Sequence, residues 1–574
     1  MGVVRAAASP AGVALVALAG VGLVLRLVNN DYGLPYVYNI DEGSHFTNRA
    51  VEMFGGDPNP GYFQNPSGYT YLVHLALRLH FGHGWPFGDL SRVPAQYRED
   101  PTAIYDTARS VSALLCVLGV AAAFWAGREL WGDLEGVAAA GVLTFAFLPV
   151  AYSRIAVTDV GTLAPVAVAL VGAVCVLDGG GRGAYVLAGA GAGLAVGFKY
   201  TAGLVLLPVA LAVGARLARE RAGALRGAAL ALGSALVALF VTTPFLFLDP
   251  DTAVRQLAQQ AETAGEFRKL GQEDDSGVLY YLDSLTWGLG WGAGLAAVAG
   301  LVVLARRDRG RALLLAAFPL ALFLYLALQS RYFGRWLLPA YPALALLAAA
   351  GVGALVRRVA ARPVARAGAL ATVLALMLAQ PAAADVRTAR LLGRDDTRAI
   401  ARDVLVRTYR PRLRIVIEPA VPARYYRLRR PRRKVSPSRK QFVRGFARDV
   451  RETRLDYAAT LRPGTLDRYR DNGYCLVMTM SVIRGRAENA RLAPALAYYE
   501  RLERESRVVY EGDPYAPGEG PVPFHFDLSY NYYPRAFERP GPEVTVYRLD
   551  ECEQGYGPLP SGRGRPAGAS GRRS

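Results

Sequence analysis

Tyr38-Asn39-Ile40-Asp41-Glu42-Gly43-Ser44-His45 sets two adjacent carboxylates and an imidazole just after the first hydrophobic run, well before the next stretch that could cross a membrane near residue 105. Burying either carboxylate in hydrocarbon costs several kcal/mol, so an ionisable pair at a membrane boundary is by default a functional hypothesis. A carboxylate so placed can take a proton from a hydroxyl, and Asp41 is the candidate for that work. Other charged groups fall at equivalent boundaries: Arg26, Arg154, Asp159, Lys199, Arg331 and Arg335. Cations of this kind can stabilise an anion that develops during a reaction in a water-poor site. His45 follows Asp41 by four residues and shares its face if a helix begins there.

The elements that position these groups follow from composition. In the 574-residue chain 52% of residues are hydrophobic, which excludes one large soluble domain. The net charge of +19 does not point to nucleic acid. The basic residues cap hydrophobic segments or crowd the C-terminal third, and no nucleic-acid motif accompanies them. The four cysteines, Cys116, Cys175, Cys475 and Cys552, have no CxxC spacing, and the first two lie in apolar runs, so only Cys475 and Cys552 are free to pair.

Windows of about 20 apolar residues occur near 11–28, 105–127, 134–151, 160–177, 183–198, 201–215, 227–248, 284–305, 311–328, 333–356 and 366–382. The chain is therefore expected to be an α-helical polytopic membrane protein with about eleven spans. The first window reads as an uncleaved anchor rather than a signal peptide, because no A-x-A site follows and many spans come later. Tyr69 to Phe81 is too short to span and contains His74, Arg78 and His80, so it reads as an interfacial helix. Alternate loops are rich in arginine: Arg128; Arg182; Arg216 to Arg226; Arg306 to Arg311; Arg357 to Arg366. The intervening ones are short or acidic. By the positive-inside rule the N-terminus is cytoplasmic, while the Asp41 loop and everything after residue 382 lie outside.

From residue 383 the composition shifts. Residues 1–382 form the membrane domain and 383–552 an extracytoplasmic α/β domain, with strands around Arg414–Glu418, Tyr474–Thr479 and Val544–Tyr547 and helices over Asp395–Thr408 and Ala493–Glu505. Arg424 to Arg444 reads as a solvated basic loop, and the Gly-, Pro-, Ser- and Arg-rich residues 553–574 as a disordered tail.

The Asp41-Glu42 pair after Leu25-Arg26-Leu27, the Tyr152-Ser153-Arg154…Asp159 turn, Gly197-Phe198-Lys199-Tyr200-Thr201 and the Arg331-Tyr332…Leu338-Pro339-Ala340-Tyr341-Pro342 segment occur in this order, all on the outer side. Together they resemble the GT-C membrane glycosyltransferases. They are similar in particular to family 39, the dolichyl-phosphate-mannose protein mannosyltransferases, and to the related lipid A aminoarabinose transferases. The resemblance covers most of residues 20 to 345. It implies an inverting transfer of a sugar from a polyprenyl-phosphate donor to an acceptor hydroxyl on protein, lipid or glycan at the outer face of the membrane. It implies Asp41 as the base, and Glu42 orienting the acceptor or holding a cation. Lys199 and Arg331, backed by Arg26 and Arg154, are then expected to bind the donor phosphate, with Asp159 a second acidic site. No cofactor is required, although Asp41, His45 and Asp159 have the donor types for one divalent metal. The alternative class is a transporter or lipid flippase with these charges along a pathway; no internal repeat and few mid-span charges support it.

Overall fold

A computed structural model describes residues 9–39, 41–82, 90–266, 270–272, 276–409, 413–418, 447–452, 460–525 and 533–552. The basic Arg424–Arg444 stretch and the 553–574 tail lie outside the described residues. Helices stand at each expected span. Among the described residues nine segments are long and apolar enough to cross a membrane, and the protein is a multi-span membrane protein. The other two expected crossings are helical but shorter. Arg182–Phe198 has 17 residues; Asp133–Phe145 has 13 and resumes as Phe147–Tyr152.

The break in the latter has a local cause. Pro149 cannot donate to the carbonyl four residues back, and its ring would collide with it. The chain becomes extended at Ala146, φ −60° and ψ 122°, and Pro149 falls in the first turn of the next helix, where an N–H is not needed. Both short helices still carry the chain from one end of the bundle to the other. Arg128–Asp133 (2.7 Å), Arg311–Asp178 (2.7 Å) and Arg357–Glu135 (2.5 Å) pair residues from the expected arginine-rich ends. The groups from the opposite ends meet one another, as described below.

Glycine permits the closest helix packing. Gly189, Gly193 and Gly197, spaced by four, lie on the face of Arg182–Phe198 that meets Arg221–Thr242, and a Cβ on them would collide with Ala231, Ala235 and Thr242. Such small-residue stripes let backbones approach where lipid provides no hydrophobic drive to associate. The sequence between the first two long helices adds Gly68–Phe81, a 14-residue helix at the expected place.

The chain divides into two compact units. Met1–Thr397, Gly485–Arg491 and Pro514–Pro542 form the helical unit; Arg398–Arg484, Leu492–Asp513 and Glu543–Ser574 form the other. The second is built on a five-stranded sheet of β1 (Leu413–Ile417), β2 (Ala447–Glu452), β3 (Leu476–Met480), β4 (Ser506–Gly512) and β5 (Val544–Leu549), in the order β2-β1-β3-β5-β4. β1 is parallel to β2 and β3, whereas β5 is antiparallel to β3 and β4. The three expected strands and both expected helices are present. Cys475 and Cys552 form a disulfide beside the β3–β5 pairing, with Cα atoms 5.5 Å apart.

Candidate active site

Asn39 starts the site. Its Oδ1 accepts the backbone N–H groups of Asp41 and Glu42, both at 3.1 Å, so the chain turns into a helix there instead of running extended. Successive residues of a helix point about 100° apart, and Asp41 and Glu42 consequently serve different surroundings.

Glu42 is fully buried. Arg109, inside the helix Thr102–Trp131, grips it through Nε (2.6 Å) and Nη2 (2.8 Å), and the Ala156 N–H donates to the same carboxylate at 2.9 Å. Arg109 Nη1 also donates to the carbonyls of Asn30 and Tyr32. Glu42 thus holds a cation, one of the two expected roles. It also ties its loop to the 153–158 turn, which leads into Asp159.

Asp41 faces a different group. Its carboxylate pairs with Arg335, and His45 Nε2 lies 3.5 Å away, on the face expected for a residue four positions on. The His45 ring stacks on Tyr62, with centroids 5.2 Å apart and planes within 5°. Asp159 pairs with Lys199, and Arg335 Nε lies 4.0 Å from Asp159 Oδ1. Thr158 Oγ1 donates to the Phe198 carbonyl at 2.6 Å, which brings the Asp159 turn beside the residue preceding Lys199. The result is an alternating row: Asp41, Arg335, Asp159, Lys199. Burial works to raise the Asp41 pKa, but Arg335 and the His45 hydrogen bond outweigh it and hold the carboxyl well below the usual carboxylate range.

The expected phosphate ligands divide. Lys199 is in the row and buried. Arg331 lies four residues before Arg335, half-buried, and it is Arg335 that reaches both carboxylates. Arg26 and Arg154 have other duties. Arg26 donates to the carbonyls of Gly22, Leu143 and Thr144, the last two orphaned where Asp133–Phe145 ends. Arg154 donates to Leu25 and Val28 at the end of Pro10–Leu27. Both arginines cap helix C-termini in a buried setting. Among the described residues no three His, Cys, Asp or Glu side chains gather as for a metal ion; Asp41 and Asp159 meet cations instead.

Sequence reasoning left out Arg109 and gave Arg335 no role beyond its place at a membrane boundary. A charge at the edge of the 105–127 apolar window was the available signal for Arg109.

Residues 105–247 match the family model described as dolichyl-phosphate-mannose-protein mannosyltransferase. The structure of ArnT from Cupriavidus metallidurans bound to undecaprenyl phosphate aligns over 95% of this chain and 99% of that one, at 16% identity and a TM-score of 0.51. The chain has the GT-C fold. A further GT-C structure, the archaeal oligosaccharyltransferase AglB from Archaeoglobus fulgidus with an inhibitory peptide and a dolichol-phosphate, aligns over 90% of this chain and 74% of that one, at 14% identity and a TM-score of 0.48. No curated protein matches the sequence. The family match begins at Tyr105, one helical turn before Arg109, and contains Arg109, Asp159 and Lys199 but not Asp41 or Arg335.

Proposed function

We propose that this protein is an inverting glycosyltransferase that moves a sugar from a polyprenyl-phosphate donor to an acceptor hydroxyl at the outer face of the membrane. The observation that carries the reading is the row Asp41–Arg335–Asp159–Lys199, assembled from four segments far apart in sequence at one end of the helical bundle. Asp41 accepts the acceptor's hydroxyl proton as the new glycosidic bond forms, while the bond between the anomeric carbon and the phosphate oxygen breaks and the phosphate leaves with its electron pair. Lys199 stabilises the charge that grows on that phosphate. Glu42 does not meet the acceptor; with Arg109 it fixes the loop on which Asp41 stands.

The donor class draws on the matched family description and on the undecaprenyl phosphate of the ArnT structure. Two observations support the outer placement: the arginine-rich loops alternate with the ends that carry the row, and Cys475 and Cys552 are paired, as suits an oxidising compartment. The test is transfer by the purified, reconstituted protein. Radiolabelled polyprenyl-phosphate sugars are incubated with membrane extracts, and label is expected to move into an acceptor fraction with release of polyprenyl phosphate. Donor that stays intact with every extract would remove the reading.

A further inference from the structure

Arg335 is shared. It pairs with Asp41, and its Nε lies 4.0 Å from Asp159, which Lys199 holds from the other side. The formal charges of Asp41, Asp159, Arg335 and Lys199 cancel, and both cations already have carboxylate partners. A phosphate entering this place brings at least one further negative charge, so a carboxylate must give up its cation.

The two pairs are not equally free to open. Asp159 and Lys199 are 6% and 9% exposed in their side chains, and the Thr158–Phe198 hydrogen bond pins their turns together. Asp41 and Arg335 are 21% and 13% exposed. Arg335 stands at the start of the short 3-10 segment Gly334–Ala340, its guanidinium 5.1 Å from the centroid of Phe333 and 6.0 Å from that of Tyr152. Those rings can steady a guanidinium that has left its carboxylate. The planar fork of arginine also suits a phosphate.

We propose that Arg335 is a ligand of the donor phosphate which Asp41 occupies until the donor arrives, so that donor binding takes the guanidinium and frees Asp41 to accept the acceptor's proton. This rests on the transferase reading and adds an order to it: donor first, then a competent base. While Arg335 is bound, the Asp41 carboxylate is held far into its ionised form and is a weak proton acceptor. With the guanidinium on the phosphate its basicity rises. A site without donor therefore does not activate hydroxyls.

The test is a double-mutant cycle read as affinity for undecaprenyl phosphate, with the full-length protein in detergent or nanodiscs. Asp41→Asn should bind the lipid about tenfold more tightly or better than the unaltered protein, since close charge pairs commonly couple at least that strongly. Arg335→Gln should bind it more weakly, and adding Asp41→Asn to Arg335→Gln should restore nothing. Melting temperatures confirm folding. If Arg335→Gln does not fold, Arg335→Met serves instead: it keeps an unbranched side chain without the charge, so adding Asp41→Asn should again restore nothing. Unchanged or weaker binding by Asp41→Asn overturns the proposal. Equal tightening with and without Arg335 also overturns it, because simple repulsion by Asp41 would then explain the gain. Absence of undecaprenyl phosphate binding by the unaltered protein would instead remove the transferase reading, and this inference with it.

Discussion

Glu42 and Arg109 form a buried, bidentate ion pair joining the loop after the first helix to the interior of the helix Thr102–Trp131. Removing one member of such a pair strands the other charge and costs about 3–5 kcal/mol. Glu42→Ala should accordingly destabilise the helical unit, seen as a lower melting temperature in detergent. It should also lower turnover more than it changes acceptor KM. A stable Glu42→Ala protein with only an altered acceptor KM would return Glu42 to the acceptor-orienting role.

Asp41 and Asp159 are both acidic members of the row, and substitution separates their roles. Asp41→Asn keeps size and most hydrogen bonding while removing the proton acceptor, so turnover should fall by roughly 10²–10⁴-fold. Asp159→Asn removes the partner of a buried lysine. Its main effect should be on donor binding and thermal stability, with single-turnover chemistry less affected. Near-normal turnover in Asp41→Asn beside an inactive, folded Asp159→Asn would move the base to Asp159.

How much of this could be read in the sequence depended on the kind of signal. Spans depend on local hydropathy, and helices appear at each expected position; 133–152 is interrupted just before Pro149, and 182–198 is a helix of 17 residues. Asp41, Asp159 and Lys199 stood out as charges at span ends expected to face outward, and they converge on one row. That Arg335 rather than Arg331 lies beside Asp41 and Asp159 was not legible, since both sit at the same boundary in the sequence. That Arg26 and Arg154, expected at the phosphate, donate to helix-end carbonyls was not legible either, since sequence does not reveal which carbonyls lie nearby. β2 and β4 escaped notice for a related reason. Both are edge strands of the sheet, and Ala447–Glu452 and Ser506–Gly512 lack the apolar run that marks β1 and β3.

The proposed placement of the row at the outer face predicts a labelling pattern. With Cys116 and Cys175 replaced by alanine, a single cysteine at Glu500, an exposed position, should react with an impermeant thiol reagent added to intact cells. One at Arg309, also exposed, should react only after lysis. The opposite pattern would invert the orientation and put the site in the cytoplasm.

The Cys475–Cys552 bond should be present in protein taken from the membrane. Alkylation without reduction should mark the two free cysteines, Cys116 and Cys175, and reduction should expose Cys475 and Cys552 as well. The bond spans 77 residues and joins the segments flanking β3 and β5. Replacing both cysteines by serine should cost about 2–5 kcal/mol, read as faster amide exchange in β3 and β5. Unchanged exchange in those strands would show that the sheet does not depend on the bond.

Glu418 gives the second unit a pH dependence of its own. It follows β1 and is fully buried, accepting the Met480 N–H at 2.6 Å and the Tyr499 hydroxyl at 2.7 Å. Burial pushes its pKa from 4.5 up to about 8, with those hydrogen bonds and Arg484 working against the rise. The folded unit therefore holds a proton that the unfolded chain releases above pH 4.5. Stability from this group is fully present below about pH 4.5, falls as pH rises at about 1.4 kcal/mol per unit, and is gone once pH passes about 8. Amide exchange in β1 and β3 of the full-length protein should thus quicken between those limits, beyond the intrinsic pH dependence of exchange. Glu418→Gln, which cannot titrate, keeps an acceptor for the Met480 N–H and offers its amide N–H to the Tyr499 hydroxyl oxygen, and should flatten that profile. A Gln variant that retains the full slope would place the titrating group elsewhere in the unit.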